Sequence, residues 1–422
     1  MKTIVVGGGV VGVTTAYYLA LDGHDVTVLE QADRLGTDAT GGNAGLIAPS
    51  HSFAWASPQA PRMLVRSLMG EATAIRVKLS LDPRFLWWGM QFMRECTTRR
   101  ARENTVVKLG LAQYSQAEMY RLADELDLHY DVVKKGCVYL YRDAHELELG
   151  LQKMSLLEEH GQPIRRLSPE DLVDLDPAFE KTARVVEGAI HGVNDGTGNS
   201  EKFTAELARV SAEKLGVRFE YGVSAQRLIQ HGDAITAVET NQGDYAGSQF
   251  VVATGIQSAL LSRTAGQDIP VYPAKGFSIT ADVLDDAAAP TLGGVDEKTL
   301  VAWSRFGDSL RISSTAQFEG YNRNHAPSDF DNIFATAKEL FGEAADWDQA
   351  RVRSCMRPMT PDGPPIVGRA LRQRNLYYNT GHGHMGWTMA CGSSRLLADS
   401  MAGRQTELEM TPFTVRTRRR GR

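Results

Sequence analysis

The sequence lacks the features that mark several large classes of protein. Its 422 residues include only four cysteines, and none of them forms a C-x-x-C pair or a zinc-binding pattern. A disulfide-stabilised secreted framework is therefore not expected, whereas a reducing, cytoplasmic location is. The net charge of −5 supplies no basic field for nucleic acid. No apolar run reaches the length of a membrane span, and there is no internal repeat or low-complexity segment.

Two local stretches leave open whether the protein contacts a membrane surface. Arg416–Arg422 reads RTRRRGR, which is typical either of a solvated tail or of a contact with anionic lipid. Phe85–Met93 is strongly apolar, which favours a core helix over a docking face for a membrane or a redox partner. Peripheral contact with the inner face of the cell membrane therefore stays open.

The first thirty residues carry the clearest pattern. Lys2–Val6 is typical of a short buried strand, and Gly7–Gly12 (GGGVVG) fits G-x-G-x-x-G. Val13–Leu21 predicts a helix, and Asp25–Glu30 predicts a second strand that closes on an acid. This order of strand, glycine turn, helix, strand and acid indicates a dinucleotide-binding βαβ unit.

Each residue of this motif has a physical role in such a site. Gly7 permits a tight turn, Gly9 lets a pyrophosphate approach the backbone, and Gly12 lets the helix pack closely on the sheet. Glu30 can accept hydrogen bonds from ribose hydroxyls, and its charge disfavours a 2′-phosphate, so NADP is not expected. The motif by itself leaves NAD and FAD open.

Later segments indicate where the chain returns to this site. Leu35–Ser57 is rich in Gly, Ser, Thr and Ala, which predicts a binding loop that lies flat against a planar cofactor ring. Ala189–Asn199 is predicted to be a turn-rich loop. Phe250–Ala253 is a predicted strand that stops at Thr254-Gly255, where a small residue suits the ligand-binding edge of a sheet.

Five motifs together carry a resemblance to a known family. They are GGGVVGVTTAYYLALDGHDVTVLE, GGNAGLIAPS, IPVYPAKGFSIT, MRPMTPDGPPIVG and NTGHGHMGWTMACGS. The chain resembles the superfamily of FAD-dependent D-amino-acid oxidases and glycine oxidases, and within it the small subunits of bacterial D-amino-acid dehydrogenases. The motifs span the chain in the order of that family, so the resemblance covers nearly all of it.

The resemblance implies an α/β fold with two domains. The first is a discontinuous, Rossmann-like FAD-binding domain of the glutathione-reductase type, made of residues 1–60, 150–268 and 350–422. The second is an α+β substrate-binding domain with a mixed or antiparallel sheet, made of residues 61–149 and 269–349.

The resemblance also implies FAD, rather than free NAD, and a set of residues that hold it. Some of them bind the ADP half, and others lie beside the flavin ring or on its pyrimidine side. The implied cofactor-binding residues are Gly7, Gly9, Val10, Val11, Gly12, Glu30, Gln31, Thr40, Gly42, Asn43, Ala44, Gly45, Leu46, Val223, Thr254, Gly255, Arg357, Gly381, His382, Gly383, Met385, Gly386, Trp387 and Thr388.

Arg357 is implied to bind the carboxylate of an amino-acid substrate, because a planar guanidinium can hold a carboxylate through two charge-assisted bonds. The alternative for Arg357 is a structural ion pair with Asp362. The flavin takes a hydride from the substrate Cα, so the protein needs to orient the substrate and needs no strong general base. The other catalytic candidates, each with a structural alternative, are His51, Tyr272, Lys275, His382 and His384. The metal prediction is none.

Three residues depart from the family pattern. Cys355 stands where the dehydrogenases have glycine, and a similarly placed cysteine bonds to the flavin in sarcosine oxidases. We expect non-covalent FAD here, with a covalent link through Cys355 as the alternative. His51 and His384 also differ, so a cyclic or secondary amine such as D-hydroxyproline stays open as the substrate.

The expected reaction is oxidative deamination of an amino acid, giving an imino acid that water converts to a 2-oxo acid and ammonia. Electrons then pass to a quinone or an electron-transfer protein. The first alternative is an oxidase of glycine, sarcosine or D-hydroxyproline that uses oxygen. The others are a non-catalytic FAD-binding module and an NAD-dependent dehydrogenase. No nucleic-acid partner is expected.

Overall fold

The computed structural model describes residues 1–69, 75–78 and 80–415. The basic tail Arg416–Arg422 lies outside these residues, so its predicted lipid contact stays a prediction. Of the helices in the described ranges, none combines the length and the apolar character needed to cross a bilayer.

The described residues form strands and helices that alternate along much of the chain. The strands are β1 (Lys2–Val6), β2 (Asp25–Leu29), β3 (Leu46–Ile47), β4 (Ile75–Val77), β5 (Cys137–Tyr141), β6 (Ile164–Leu167), β7 (Gly188–Gly192), β8 (Gly196–Thr197), β9 (Arg218–Glu220), β10 (Ala225–His231), β11 (Ala234–Thr240), β12 (Gly243–Ala246), β13 (Gln249–Val252), β14 (Tyr272–Asp282), β15 (Gly293–Asp296), β16 (Val301–Phe306), β17 (Ser309–Phe318), β18 (Arg351–Met359), β19 (Ile366–Arg369) and β20 (Leu376–Thr380). The helices are α1 (Val10–Leu21), α2 (Ala39–Gly42), α3 (Ala60–Leu68), α4 (Pro83–Glu95), α5 (Thr98–Leu126), α6 (Ala144–Glu158), α7 (Pro169–Leu175), α8 (Ser200–Leu215), α9 (Ser258–Thr264), α10 (Asp331–Phe341) and α11 (Gly386–Met401).

A six-stranded sheet with the order β19-β20-β13-β1-β2-β9 organises the site. Its strands are parallel except for the antiparallel pair β19–β20. β1 lies near the centre and is buried on both faces: Val5 packs in the cluster that contains α1, α8 and α11, whereas Ile4 and Val6 pack against the β10-β11-β12 meander. Burial on both faces explains why Lys2–Val6 carries a nearly continuous apolar run.

A nine-stranded sheet forms the second layer of the fold, with the order β18-β14-β17-β16-β15-β5-β7-β6 and β4 added beside β17. It mixes antiparallel and parallel pairs, since β5 runs parallel to β15 and antiparallel to β7. The sequence predicts adjacent antiparallel strands at Thr299–Arg305 and Ser309–Thr315, and the antiparallel pairing of β16 with β17 confirms them.

Two sequence-based predictions need correction in this region. The predicted turn-rich loop at Ala189–Asn199 begins as strand β7, because Ala189 and Ile190 pack in the hydrophobic core and pair with β5. The sequence also assigns residues 150–268 and 350–422 to the FAD-binding domain, but β6, β7 and β18 pair within the nine-stranded sheet. The remaining domain limits stay predictions.

Candidate active site

A cavity of about 410 Å³ opens at the carboxyl ends of four parallel strands of the six-stranded sheet. Val6 ends β1, Leu29 ends β2, Thr254 follows β13 and Thr380 ends β20, and all four residues line the cavity. Ligands of open α/β sheets bind at this edge, where parallel strands end and helices begin. The far wall is formed by strand β18 of the nine-stranded sheet.

The turn from β1 to α1 can be built only with glycine at two positions. Gly7 has φ of +110°, a backbone conformation that residues with a side chain rarely adopt. A Cβ on Gly12 would overlap the carbonyl oxygen of Gly7, so the helix could not start this close to the strand. The backbone N–H of Val10 donates to Thr40 Oγ1 at 3.0 Å, which ties the turn to the loop that follows β2.

Glu30 lies at the end of β2 and is buried against this turn. Its Oε2 accepts a hydrogen bond from the Gly8 N–H at 2.7 Å, and its Oε1 accepts one from the Ala32 N–H at 2.8 Å. Each carboxylate oxygen can accept a second bond. The carboxylate is therefore held rigidly at the cavity wall with capacity left for two ribose hydroxyls.

The loop after β2 is more ordered than its composition indicates, because it contains the short helix α2. Asn43 shapes the loop: its Oδ1 accepts from the Gly45 N–H at 2.7 Å, and its Nδ2 donates to Ser200 Oγ at 2.7 Å. Gly45 has φ of +83° and lies against the ring of Phe306. Asn43 lines the cavity, whereas Gly45 packs behind it.

Cys355 contacts this loop from strand β18. Its Sγ lies 3.6 Å from the carbonyl oxygen of Gly42, in a geometry that suits donation by the thiol. Burial raises the pKa of the Cys355 thiol above its usual value. The thiol lines the cavity and is held in its protonated, less nucleophilic form.

Arg357 follows two residues later on β18 and also lines the cavity. Its guanidinium lies over the backbone of Gly276 on the neighbouring strand β14, where a Cβ would come within 2.5 Å of the guanidinium carbon. Burial lowers the pKa of Arg357, but an arginine keeps its charge at any physiological pH. The site therefore presents one fixed positive charge from the nine-stranded sheet.

Two histidines pack together beside this charge. The rings of His51 and His384 meet edge to face with centroids 5.3 Å apart, and Trp55 stacks on His384 at 5.0 Å. Burial, together with the charges of Lys153, Lys108 and Arg357, lowers the pKa of His51 to about 3. Burial, Lys108, His51 and Arg357 likewise hold the pKa of His384 well below 6.5.

Both imidazoles are therefore uncharged at neutral pH. His384 lines the cavity, whereas His51 lies behind it and stacks on Tyr139 at 6.1 Å. Within the described part of the chain, Nε2 of His384 is buried without a hydrogen-bond partner.

The remaining catalytic candidates have partners that favour structural roles. His382 lines the cavity, but its Nε2 bonds Ser393 Oγ at 2.9 Å and so connects the loop to helix α11. Lys275 is buried, pairs with Glu319 and donates to the carbonyl oxygen of Asn324 at 2.5 Å. Tyr272 is the first residue of β14 and packs in an aromatic cluster with Trp88 and Phe318. Neither Lys275 nor Tyr272 is among the described residues that line the cavity.

The cavity brings together most of the predicted cofactor-binding residues from segments far apart in sequence. Those that line it are Gly7, Gly9, Val10, Val11, Glu30, Gln31, Thr40, Asn43, Val223, Thr254, Gly255, Arg357, Gly381, His382, Gly383, Gly386 and Trp387. Among the described residues, the predicted ones that do not line it are Gly12, Gly42, Ala44, Gly45, Leu46, Met385 and Thr388. Their predicted roles stay predictions.

Several lining residues were not predicted. Thr37–Ala39, Ser224–Gln226, Ile256-Gln257 and Asn379-Thr380 all face the cavity. Ile256-Gln257 follow the predicted strand Phe250–Ala253, and Asn379-Thr380 end β20, so the rule that ligands lie at strand ends is the signal that could have found these four. Within the described ranges, no cluster of three or more His, Cys, Asp or Glu could hold a metal ion.

Helix α11 begins at the cavity, since Gly386 and Trp387 are its first residues and both line the wall. The glycines before it, Gly381 and Gly383, have φ of +80° and +60°, which only glycine adopts readily. A helix N-terminus carries a partial positive charge, so this end of the cavity favours an anionic group.

The matches to known proteins cover nearly the whole length of the chain. The family model described as FAD dependent oxidoreductase (DAO) matches residues 2–400. D-amino acid dehydrogenase 2 from Mesorhizobium japonicum is 44% identical over 409 residues, covering 97% of this chain and 98% of the relative. D-amino acid dehydrogenase from Paramagnetospirillum magneticum is 37% identical over 413 residues, covering 97% of each chain.

Solved structures show the same fold at lower sequence identity. Glycine oxidase from Geobacillus kaustophilus superposes with a TM-score of 0.76 at 21% identity, over 98% of each chain. L-proline dehydrogenase from P. horikoshii superposes with a TM-score of 0.73 at 18% identity, over 98% of this chain and 96% of that one. The predicted α/β fold class is therefore confirmed.

Proposed function

The chain belongs to the family of FAD-dependent oxidoreductases, and from this premise we propose that it oxidises a D-amino acid at the carbon that bears the amine. The imino acid formed is hydrolysed to a 2-oxo acid and ammonia. Two relatives that match this chain over nearly its full length at 44% and 37% identity are D-amino acid dehydrogenases, which supports this substrate class. The observation that carries the proposal is Arg357, a fixed positive charge in the same cavity as the Gly7–Gly12 turn and Glu30.

The residues present fit FAD. The turn at Gly7 and Gly12 has no room for side chains, so a pyrophosphate can approach the backbone of the turn and the N-terminus of α1. Glu30 has lone pairs left for the ribose, and the start of α11 offers a positive dipole to the pyrimidine side of the ring. FAD, when bound, supplies the two-electron acceptor for the hydride that leaves the substrate carbon.

The side chains of this site bind and orient the substrate. Arg357 holds its carboxylate through two parallel N–H···O bonds, which fixes the direction of the Cα–H bond. His384 accepts a hydrogen bond from the substrate nitrogen at Nε2, an atom with no partner of its own among the described residues. Because the His51–His384 pair is uncharged, it does not repel the amine, and Arg357 is the charged side chain that anchors the carboxylate.

We also propose that FAD is held without a covalent bond and that a quinone or an electron-transfer protein accepts its electrons at the inner face of the membrane. Burial raises the pKa of the Cys355 thiol, and the thiol points at the Gly42 carbonyl, so it is a poor nucleophile toward the flavin. Acid precipitation of the pure protein should leave a colourless pellet and a yellow supernatant. Flavin retained in the pellet would establish a covalent link.

The substrate is tested by anaerobic bleaching of the flavin. A panel of D- and L-amino acids, glycine, sarcosine and D-hydroxyproline is mixed with the yellow protein in the absence of oxygen. We expect D-amino acids to bleach it fastest. Faster bleaching by D-hydroxyproline or sarcosine would point to secondary amines, and failure of every amine would leave a non-catalytic FAD module. Stoichiometric hydrogen peroxide in air would identify an oxidase.

A further inference from the structure

Helix α4 is apolar on both of its faces. Phe85, Trp88 and Phe92 lie on one face and pack against an aromatic cluster of the nine-stranded sheet. Leu86, Met90 and Met93 lie at i, i+4 and i+7 on the opposite face and are exposed. The sequence predicts a core helix here, which the structure confirms for the first face only. An apolar helix face is normally covered by another surface.

The exposed apolar residues are concentrated in this region. Of the 17 large apolar side chains that are exposed in the described part of the chain, seven lie between residues 65 and 93, a stretch of 29 positions. They are Val65, Met69, Leu81, Leu86, Trp87, Met90 and Met93, with exposed fractions from 36% to 91%. A contiguous surface patch of such residues would mark an interaction site.

Positive charge accompanies the apolar residues. On α3 and its C-cap, Arg62, Val65, Arg66 and Met69 follow one another at i, i+3, i+4 and i+7, and all four are exposed. Residues 60–95 contain six basic and three acidic side chains, whereas the whole chain has a net charge of −5. Alternating basic and apolar residues on one helical face are typical of helices that lie on an anionic membrane surface.

α3 and α4 belong to one corner of the protein. α3 packs on β4, and β4 pairs with β17. Ile75 and Val77 of β4 pack against the same aromatic cluster as the buried face of α4. Both helices are therefore connected to the nine-stranded sheet through one aromatic cluster, α4 directly and α3 by way of β4.

We propose that the exposed residues of α3 and α4, the α3–α4 face, dock the protein on an anionic lipid bilayer. The apolar side chains enter the interfacial region, while the arginines contact lipid phosphates. Charge complementarity selects the bilayer over a second copy of this chain, because two such faces would bring the arginines of α3 and α4 toward the same arginines of the other copy. The inference does not depend on the substrate, since it is tested by binding to vesicles.

The test is flotation of the FAD-loaded protein with vesicles. Vesicles of phosphatidylcholine mixed with phosphatidylglycerol should bind it, and vesicles of phosphatidylcholine alone should bind it much less. The triple variant Leu86→Gln, Met90→Gln, Met93→Gln should lose at least about tenfold in affinity for the anionic vesicles. The control triple Leu149→Gln, Leu175→Gln, Leu284→Gln removes exposed apolar residues elsewhere and should bind like the unmodified protein.

Charge is tested separately. Arg62→Gln and Arg94→Gln should each weaken binding to anionic vesicles about fivefold. Equal loss in both triple variants would refute the proposal, and so would absence of vesicle binding. A chain that ends at residue 415 should still float with the vesicles; if it does not, the basic tail and not the α3–α4 face is the lipid contact. Dissociation of a dimer by the first triple, without vesicle binding, would assign the face to a second copy.

Discussion

The position of Arg357 depends on the absence of a side chain on Gly276, which makes Gly276→Ala an informative perturbation. The φ of Gly276 is not in the left-handed region, so alanine is compatible with the backbone of β14. The new Cβ would stand 2.5 Å from the carbon and one nitrogen of the guanidinium and 2.6 Å from the other nitrogen. An ordinary contact needs at least 3.4 Å, so the guanidinium has to move by roughly 1 Å.

A shift of that size disrupts a bidentate pair, because both N–H groups must point at the carboxylate oxygens together. Hydrogen bonds to charged groups contribute about 1.5–3 kcal/mol, which corresponds to a loss of roughly 10- to 150-fold in kcat/KM. The fold should change little, since the atoms that move are the end of a flexible side chain.

The assay is anaerobic flavin reduction by stopped flow, with a thermal unfolding curve of the same protein. Gly110→Ala is the matched control, because a Cβ there meets nothing within 4 Å and the residue lies within helix α5. That variant should keep its kinetics and gain about 0.5–1 kcal/mol of stability. Full activity of a well-folded Gly276→Ala protein would show that Arg357 does not hold the substrate.

Three further predictions concern charged groups. Arg357→Lys keeps the charge but loses the planar fork, so KM should rise about tenfold or more, and an unchanged KM would remove Arg357 from this role. Arg351 lies on the same strand, β18, and forms an exposed ion pair with Asp282 of β14, so the control Arg351→Lys should leave KM unchanged. Glu30→Gln should weaken FAD retention about 10- to 100-fold, measured as the flavin-to-protein absorbance ratio after dialysis, because it removes a charge-assisted acceptor; undiminished flavin content would contradict this. Burial lowers the pKa of Lys108 to about 7 from an ordinary value of 10.5, so the unfolded chain binds more protons between these values and the free energy of unfolding rises with pH there. Between pH 7 and pH 9, the free energy of unfolding from urea titrations should therefore rise by about 2 kcal/mol less in Lys108→Met than in the unmodified protein. An equal rise in both proteins would refute the reasoning.

The parts of the site that the sequence predicts well are those encoded locally. Gly7, Gly12 and Glu30 lie within one βαβ unit, where steric demands on a tight turn leave few alternatives to glycine. The hairpin of β16 and β17 is equally local, because its strands are joined by a short turn. In both cases the residues that determine the geometry are neighbours in the chain.

The parts that the sequence misses depend on distant contacts. Strand β7 reads GAIHG, a composition typical of a turn, and becomes a strand because β5 and β6 pair on either side of it. Lys108 is typical of a solvated helix position, yet it is buried and donates to the carbonyl oxygen of Phe53 at 3.0 Å. Lys275 is equally misleading, since its partner Glu319 lies 44 residues away.

The six-stranded sheet joins strands that are far apart in the sequence, and this affects the order in which the site is completed during synthesis. β1 pairs with β13, which pairs with β20, and helix α1 packs directly on α11. A nascent chain on the ribosome has its glycine turn early but receives Asn379, Gly381 and Trp387 only much later in synthesis. The cavity is therefore completed only when β20 and the start of α11 have been made, and a premature stop before residue 376 would leave the edge of β13 bare and prone to aggregation.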